Sequence, residues 1–191
     1  MEGCRLEAHD IACLRGERLL FRGLSLGLKP GEALQVTGAN GTGKSSLLRI
    51  LAGLMRPFAG EVVRRCDIAL LDERLALDPD RPLGEALAFW RRLDGGEMPL
   101  ERLGLNGLLD VPVRYLSTGQ TKRAALARLI GQGAPVWLLD EPLNGLDTDA
   151  VTLAEKLVAE HCAGGGIAVI ASHQAFALRN MQYLAIEDYV S

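Results

Sequence analysis

The sequence contains no long apolar run and no surplus of basic residues, and each absence excludes a class of protein. No stretch approaches the roughly 20 apolar residues of a membrane-spanning helix, so we expect no transmembrane segment. The formal net charge of -3 is unlike the basic balance of an electrostatic nucleic-acid binder, so we expect no nucleic-acid partner. The N-terminal MEGCRLEAHD lacks the basic-then-apolar pattern of a signal peptide. Any membrane process would therefore be served from the cytoplasmic side, through a partner.

Cysteine is also scarce. The four cysteines lie far apart, with no C-x-x-C pair and no histidine at metal-binding spacing: Cys4, Cys13, Cys66 and Cys162. We therefore expect ordinary thiols of a reducing compartment rather than a disulfide framework or a metal site. His9 and His161 stand near no chemical motif, and we expect both to be structural.

What the sequence does contain is short apolar runs that alternate with longer segments of helical periodicity. Strands are predicted at Arg5–Cys13, Leu24–Leu28, Ala33–Thr37, Gly60–Val63, Asp67–Leu71, Val136–Asp140, Ile167–Ala171 and Tyr183–Glu187. Helices are predicted at Lys44–Leu54, Leu83–Arg92, Leu100–Leu105, Gly119–Ile130, Thr148–Cys162 and Gln174–Asn180. Runs such as VWLLD are apolar on both faces, which is typical of parallel strands covered by helices. The pattern predicts a single α/β domain of 191 residues with a mainly parallel sheet.

The segment GANGTGKSS indicates a phosphate-binding loop, because it follows an apolar strand, opens a helix and satisfies G-x-x-x-x-G-K-[ST]. Glycines let several backbone N–H groups face one anion, and the helix N-terminus adds its positive dipole end. Lys44 would reach the β- and γ-phosphates, and the hydroxyl of Ser45 would bind Mg²⁺. The predicted ATP contacts are Gly38, Ala39, Asn40, Gly41, Thr42, Gly43, Lys44, Ser45 and Ser46.

The apolar strand VWLLD ends in two adjacent carboxylates, at the sheet edge where α/β proteins bind ligands. Neighbouring strand residues point to opposite sides, so Asp140 and Glu141 should act differently. We assign Asp140 to the Mg²⁺ shell and Glu141 to the γ-phosphate side, as general base or water-positioning residue. The strand GIAVIASH ends at the same edge, which favours a γ-phosphate contact for His173.

A third polar turn, LSTGQ, opens the helix of TKRAALARLI. It offers backbone N–H groups and a hydroxyl, yet it has no residue that could do chemistry alone. Its residues are Leu116, Ser117, Thr118, Gly119 and Gln120.

In their order along the chain, these motifs resemble the nucleotide-binding domain of ATP-binding-cassette (ABC) proteins, and the resemblance covers nearly the whole chain. It identifies GANGTGKSS as the Walker A loop, WLLDE as Walker B, LSTGQ as the signature, Asn144–Asp147 as the D-loop and His173 as the switch histidine. It implies catalytic roles for Glu141, His173 and Lys44, and a trans role for the signature and Asp147. Two copies would pack head to tail, with each ATP between one Walker A loop and the other copy's signature.

The resemblance also implies the remaining architecture. The fold expected is a P-loop NTPase of ABC type, with N-terminal antiparallel strands added to the parallel core sheet. The core would take residues 1–74 and 116–191. The helix-prone stretch 75–115, interrupted by proline and glycine, would form a small helical subdomain.

Two positions depart from the family pattern. The adenine-stacking aromatic of the family falls near Arg15. Either the guanidinium plane of Arg15 stacks instead or adenine is held loosely, and Phe21 is a weaker substitute. The Q-loop glutamine is absent from IALLDERLALDP, where Glu73 or Arg74 takes its place. Glu73 could still supply an oxygen to Mg²⁺.

A narrower resemblance is carried by the N-terminal LEAHDIACLR and the segment RPFAGEV. Both are similar to the ATPase subunits of bacterial cytochrome c maturation haem exporters. The implied protein is an ATPase with ATP and Mg²⁺ as cofactors, paired with a second copy and with integral membrane permease subunits. It would lie peripherally on the cytoplasmic face of the inner membrane and would not bind haem directly.

Three other interpretations stay open. The first is the ATPase of another small-substrate transporter. The second is a soluble, non-transport ABC ATPase, although such proteins usually carry two cassettes, long coiled coils or basic insertions. The third is a degenerate cassette that binds ATP without turnover, which the missing glutamine favours and the four residues Lys44, Asp140, Glu141 and His173 oppose. Phe89 and Trp90 of the helical segment are either core residues or part of a docking groove.

Overall fold

The computed structural model describes residues 3–72 and 76–190 and arranges them as two sheets with helices packed on them. The strands are β1 (Leu6–Arg15), β2 (Arg18–Leu28), β3 (Ala33–Thr37), β4 (Ala59–Arg64), β5 (Ile68–Leu71), β6 (Val136–Asp140), β7 (Ile167–Ala171) and β8 (Gln182–Ala185). The α-helices are α1 (Lys44–Leu51), α2 (Leu83–Asp94), α3 (Thr118–Gly131) and α4 (Thr148–Ala163).

The larger sheet has five strands in the order β5-β6-β7-β3-β8, and every neighbouring pair is parallel. Its central strands β3, β6 and β7 begin and end at the predicted residues. They are apolar on both faces because helices or the second sheet cover both. The carboxyl ends of β3, β6 and β7 therefore meet at one edge, where the predicted polar residues follow.

Two hydrophobic cores lie on opposite sides of this sheet, and the strand residues alternate between them. Trp137 and Leu139 belong to the core shared with α3 and α4. Val136 and Leu138 belong to the core shared with α1 and the N-terminal strands. The period-2 alternation thus fixes which face each residue of β6 serves.

The smaller sheet is antiparallel, in the order β2-β1-β4, as the sequence predicts for the N-terminal strands. The expectation of free thiols is wrong for one pair, because a disulfide joins Cys4, just before β1, to Cys66, just after β4. Antiparallel pairing brings these distant residues to a Cα separation of 5.3 Å. The spacing of the two cysteines along the chain does not predict this contact. Cys13 and Cys162 are buried free thiols, and burial raises the pKa of Cys162 to about 11.

Two predicted helices are absent from their positions. Leu100–Leu105 forms turns that close on the hydrogen bond from Leu105 N–H to Leu100 O, and Gly104 is left-handed with φ of 63°. Residues 174–180 contain a bend and a turn instead of a helix. The predicted strand Tyr183–Glu187 ends at Ala185 and continues as a 3₁₀ turn, Ile186–Tyr189.

The described residues between β5 and α3 form α2, two short 3₁₀ turns and one isolated bridge, between Pro82 and Pro112. Of its two neighbouring aromatics, Trp90 packs against the core while Phe89 is 53% exposed. Among the residues that the structure describes, every helix is too short or too polar to span a bilayer.

Candidate functional site

The predicted phosphate loop connects the end of β3 to the first turn of α1. Gly43, which precedes α1, has φ of 110°, and a Cβ on it would come within 3.1 Å of the Phe21 ring. Only glycine meets both conditions without strain or collision. At the other end of α1, the guanidinium of Arg64 donates to the carbonyls of Ile50 and Leu51 in the last turn, where a helix has carbonyls without an intrahelical i+4 partner. The helix that carries the loop is therefore fixed at both ends.

Lys44 is folded over the loop from which it projects. Its ammonium donates to the carbonyls of Gly38 at 2.7 Å and Ala39 at 3.1 Å, and the residue is only 6% exposed. The Lys44 ammonium and the first backbone N–H groups of α1 therefore lie around one small volume beside the loop. Such a volume suits a polyphosphate.

The loop is tethered by a carboxylate from the far end of the chain. The backbone N–H of Ala39 donates to Glu187 Oε1 at 2.7 Å, and the hydroxyl of Thr42 donates to the Ala39 carbonyl at 2.8 Å. Glu187 reaches the loop because β8 stops early and the 3₁₀ turn that follows redirects the chain.

Asp140 and Glu141 diverge at the end of β6. Asp140 has the same parity as Val136 and Leu138, so it faces the side of the sheet that carries α1, and it is only 5% exposed. It lines the same cleft as Ser45. Glu141 follows the strand with φ of 46°, an uncommon backbone conformation for a residue with a side chain.

Glu141 and His173 form a pair at the mouth of the cleft. Nδ1 of His173 lies 2.9 Å from Oε2 of Glu141, with side chains 50% and 13% exposed respectively. The Glu141 N–H donates to the Ala171 carbonyl at 2.8 Å, so β7 holds both members of the pair in place. A carboxylate in contact with an imidazole can accept or relay a proton beside the phosphate loop.

These residues share one open cleft of about 640 Å³. Its lining residues are Arg15, Arg18, Leu20, Asn40, Gly41, Gly43, Lys44, Ser45, Ser46, Arg49, Asp140, Glu141, Asn144 and His173. Arg15 therefore stands where an adenine ring could reach it. The alternative, Phe21, is wrong as an adenine contact because it is fully buried beneath Gly43.

The predicted signature turn lies outside this cleft, although the structure describes all five of its residues. Ser117 N-caps α3 through a capping box: its oxygen accepts from Gln120 N–H, and Gln120 Oε1 accepts from Ser117 N–H at 2.8 Å. Ser117 and Thr118 are exposed. The turn is well formed, and its exposed face does not line the cleft that holds Lys44.

Comparison with known proteins decides the family. A family model described as ABC transporter matches residues 21–144. The chain belongs to the ABC transporter family.

Individual relatives agree over the full length. The chain is 61% identical over 189 residues to the cytochrome c biogenesis ATP-binding export protein CcmA of Novosphingobium aromaticivorans, with 99% of each chain covered. It is 51% identical to the protein of the same name from Sphingopyxis alaskensis, with 95% of this chain and 96% of that one covered. In fold it is similar to the solved structure of an ATP-binding subunit of an ABC transporter, with a TM-score of 0.82 at 23% identity over 95% of this chain and 86% of that one.

The predicted D-loop packs against the predicted signature turn of the same chain. Gly145 has φ of 77°, and a Cβ there would lie 2.7 Å from Thr118 Cγ2. Thr118 therefore fits because Gly145 has no side chain. Asp147, the predicted D-loop aspartate, caps α4 by accepting from Ala150 N–H at 2.8 Å.

The Mg²⁺ prediction rests on Ser45 and Asp140, since Glu73 lies outside the described residues. Within residues 3–72 and 76–190 no group of three or more His, Cys, Asp or Glu could hold a metal. Mg²⁺ fits the two oxygen donors nonetheless, because it is usually bound by one or two protein oxygens together with substrate phosphates and water.

Four residues at or beside the site escaped the sequence prediction: Lys122, Glu187, Arg18 and Arg49. Lys122, on α3, donates to the Glu141 carbonyl at 3.0 Å. Arg49 lines the cleft and lies 3.4 Å from Asp72, at the end of β5. Lys122 and Arg49 each lie within one helical turn after a predicted motif, and this position could have marked them. No local signal marks Glu187, because its partner is 148 residues away.

Proposed function

We propose that this ABC ATPase drives the export step of cytochrome c biogenesis, as a head-to-tail pair of copies that bind ATP between them and act on membrane permease subunits. The observation that carries this proposal is the 61% identity to a cytochrome c biogenesis export protein over 99% of both chains. The site geometry is consistent with hydrolysis, because a carboxylate–histidine pair stands at the mouth of the phosphate-loop cleft.

Binding would begin at the Walker A loop. The N–H groups at the start of α1 and the ammonium of Lys44 would hold the β- and γ-phosphates, with Asn40, Gly41 and Ser46 at the cleft wall. Arg15 would lie flat against the adenine ring. Ser45 and Asp140 would hold Mg²⁺, which when bound neutralises phosphate charge.

Hydrolysis would then depend on Glu141 and His173. Glu141 orients the attacking water and accepts its proton while the water oxygen bonds to the γ-phosphorus. The bond from that phosphorus to the bridging oxygen breaks, and ADP leaves with the electron pair. His173, already 2.9 Å from Glu141, holds the carboxylate in place and contacts the γ-phosphate.

The second copy would complete the site. Ser117 and Thr118 of the signature are exposed, the Ser117 hydroxyl is bonded within the capping box, and α3 directs its positive dipole end outward from them. Ser117 and the Gly119 N–H would meet the γ-phosphate held by the partner's Walker A loop. Asp147 and its D-loop lie beside the signature and would follow it into the interface.

The membrane partner would dock on the helical segment, which we assign to residues 75–115 as a subdomain of the core 1–74 and 116–191. A groove of about 560 Å³ is lined partly by Ala76, Phe89 and Trp90. This placement supports contact with a permease at the cytoplasmic face of the bacterial inner membrane. Haem would be handled by the membrane subunits and not by this chain.

The decisive test is Glu141→Gln, which keeps the size of the side chain but removes its basicity. We expect ATP hydrolysis to fall by about 10²- to 10⁴-fold while ATP binding persists and the dimer is trapped. Glu61→Gln, on exposed β4, is the matched control and should hydrolyse normally. A Glu141→Gln enzyme that turns over at the wild-type rate would sink the catalytic assignment.

The transport assignment has its own test. Deleting the chain's gene should abolish maturation of c-type cytochromes, and Glu141→Gln should fail to restore it while Glu61→Gln succeeds. Normal maturation of c-type cytochromes in the deletion strain would mean that this ATPase serves another export process.

A further inference from the structure

One contact connects the signature helix to Glu141 within the same chain. The ammonium of Lys122, in the second turn of α3, donates to the main-chain carbonyl of Glu141 at 3.0 Å, and the contact is partly buried. The two residues lie 19 positions apart and belong to different motifs of the proposed mechanism.

The Glu141 backbone needs such support. Its φ of 46° is uncommon for a residue with a side chain, and Pro142 restricts it further. A conformation of this kind persists only where surrounding contacts hold it. Here β7 holds the N–H side through the Ala171 carbonyl, while Lys122 at 3.0 Å and the longer contact from the Asn144 N–H at 3.4 Å hold the carbonyl side.

Loss of the Lys122 contact would remove a charged donor from one side of this peptide. The backbone could then relax toward an ordinary conformation, and the carboxylate would turn with it. The 2.9 Å approach of Glu141 to His173 depends on that orientation. The expected consequence is a misdirected carboxylate with an intact phosphate loop.

We propose that Lys122 is a positioning residue that holds Glu141 in its left-handed backbone conformation and ties it to the signature turn. The proposal rests on the function proposed above. Because α3 starts at the signature, a γ-phosphate bound there by the second copy would fix the helix that carries Lys122. Each chain's glutamate would thereby respond to the ATP at the other composite site.

The test compares Lys122→Met with wild type in the chain purified together with its membrane subunits. We expect kcat to fall about 10- to 100-fold, as for a lost charge-assisted hydrogen bond at a reacting group, with KM and the Kd for ATP unchanged. Lys122→Arg should restore most of the rate because it returns a charged donor. Lys156→Met, on exposed α4, is the matched control and should keep the wild-type rate.

A Lys122→Met rate within about twofold of wild type would overturn the proposal, as would a parallel loss of ATP affinity. Glu141→Gln separates this failure from that of the proposed function. If Glu141→Gln is inactive and Lys122→Met is fully active, only the positioning role is wrong. If Glu141→Gln is active, the catalytic assignment itself fails.

A double-mutant cycle tests the connection to the signature. If Lys122 transmits contact at Ser117 to Glu141, the rate losses of Ser117→Ala and Lys122→Met should be strongly non-additive. Additive losses would show two independent effects and would overturn the connection.

Discussion

The two halves of the proposed ATP site differ in how complete they are within one chain. In the Walker half, Lys44 and Asp140 are buried. The Lys44 ammonium donates to a carbonyl of its own loop, and the loop donates a backbone N–H to Glu187. In the signature half, Ser117 and Thr118 are exposed, and the Ser117 hydroxyl is bonded to its near neighbour Gln120. In the proposed function the first half would bind phosphate alone, whereas the second would need a ligand brought by another molecule.

The exposed half is nevertheless ordered before any partner arrives. The capping box satisfies the N–H groups of Ser117 and Gln120, and Gly145 packs against Thr118. Because the turn is already ordered, binding of the second copy would cost little conformational free energy there. The contrast between the halves distinguishes nucleotide binding from dimer assembly. Two predictions test it, and a third concerns a residue remote from both halves.

The largest effect is expected when each half is broken on a different chain. Lys44→Ala alone and Ser117→Arg alone should be inactive, because each homodimer has two defective composite sites. A one-to-one mixture should recover about a quarter of the wild-type rate, since half of randomly formed dimers are mixed and each holds one intact site.

The control for this experiment is a mixture of two variants of the same half, Lys44→Ala with Gly43→Ala, which leaves no intact site in any dimer. ATPase activity of the mixtures is the measurement. If the first mixture stays as inactive as the second, the two halves do not meet across a dimer.

A smaller effect is expected from loosening the Walker half without touching its phosphate contacts. Glu187→Ala removes the acceptor of the Ala39 N–H, so the loop loses one tether. We expect the Kd for ATP to rise about 2- to 10-fold, the usual value of one neutral-to-charged hydrogen bond at a partly exposed site, with the signature unaffected.

Asp188→Ala, which changes the exposed neighbouring carboxylate, should leave ATP binding as it is. Calorimetric titration of both variants with ATP makes the comparison. Equal affinities for the two variants would mean that the Glu187 tether does not shape the loop.

The smallest effect is expected at His161, remote from both halves. Its ring stacks on Trp137 at 3.8 Å, and burial lowers the pKa of its imidazole, although the carbonyls of Ile167 and Pro135 oppose the shift. The unfolded chain therefore binds a proton more readily than the folded one. The contribution of the neutral His161 to the free energy of unfolding is therefore complete above the ordinary histidine pKa of about 6.5. It is lost as the pH falls below that value.

His161→Phe keeps an aromatic ring and removes the titration, so the fall of Tm between neutral and mildly acidic pH should become shallower. His9→Gln, at an exposed position of β1, should keep the wild-type dependence. Thermal melts over this pH range give the answer, and an unchanged slope in His161→Phe would rule out this histidine as the cause. The ATPase rate at neutral pH should not change in either variant.

The errors of sequence-based prediction follow from contacts between distant elements. Residues 174–180 have helical periodicity, but their backbone groups are bound by side chains from elsewhere. Gln35 donates to the Gln174 carbonyl and accepts from Phe176 N–H, while Glu155 accepts from Ala177 N–H. These bonds satisfy the groups that a helix would have used, so the helix does not form.

The disulfide and the Glu187 tether have the same origin. Cys4 and Cys66 meet because β1 and β4 pair, and Glu187 meets Ala39 because β8 ends two residues before the predicted point. Neither partner is near the other along the chain. Periodicity and motif spacing depend on local structure, so they do not predict contacts between residues that are distant along the chain.

The sequence by itself determined the family, the strands β3, β6 and β7, and the motifs at their carboxyl ends. These follow from local chemistry: apolar runs demand burial on both faces, and a glycine-rich turn before a helix presents amides to an anion. Only the tertiary structure decided the backbone of Glu141 and its contacts with His173 and Lys122. Those features arise where three separately encoded elements converge, and their geometry depends on packing rather than on any one segment.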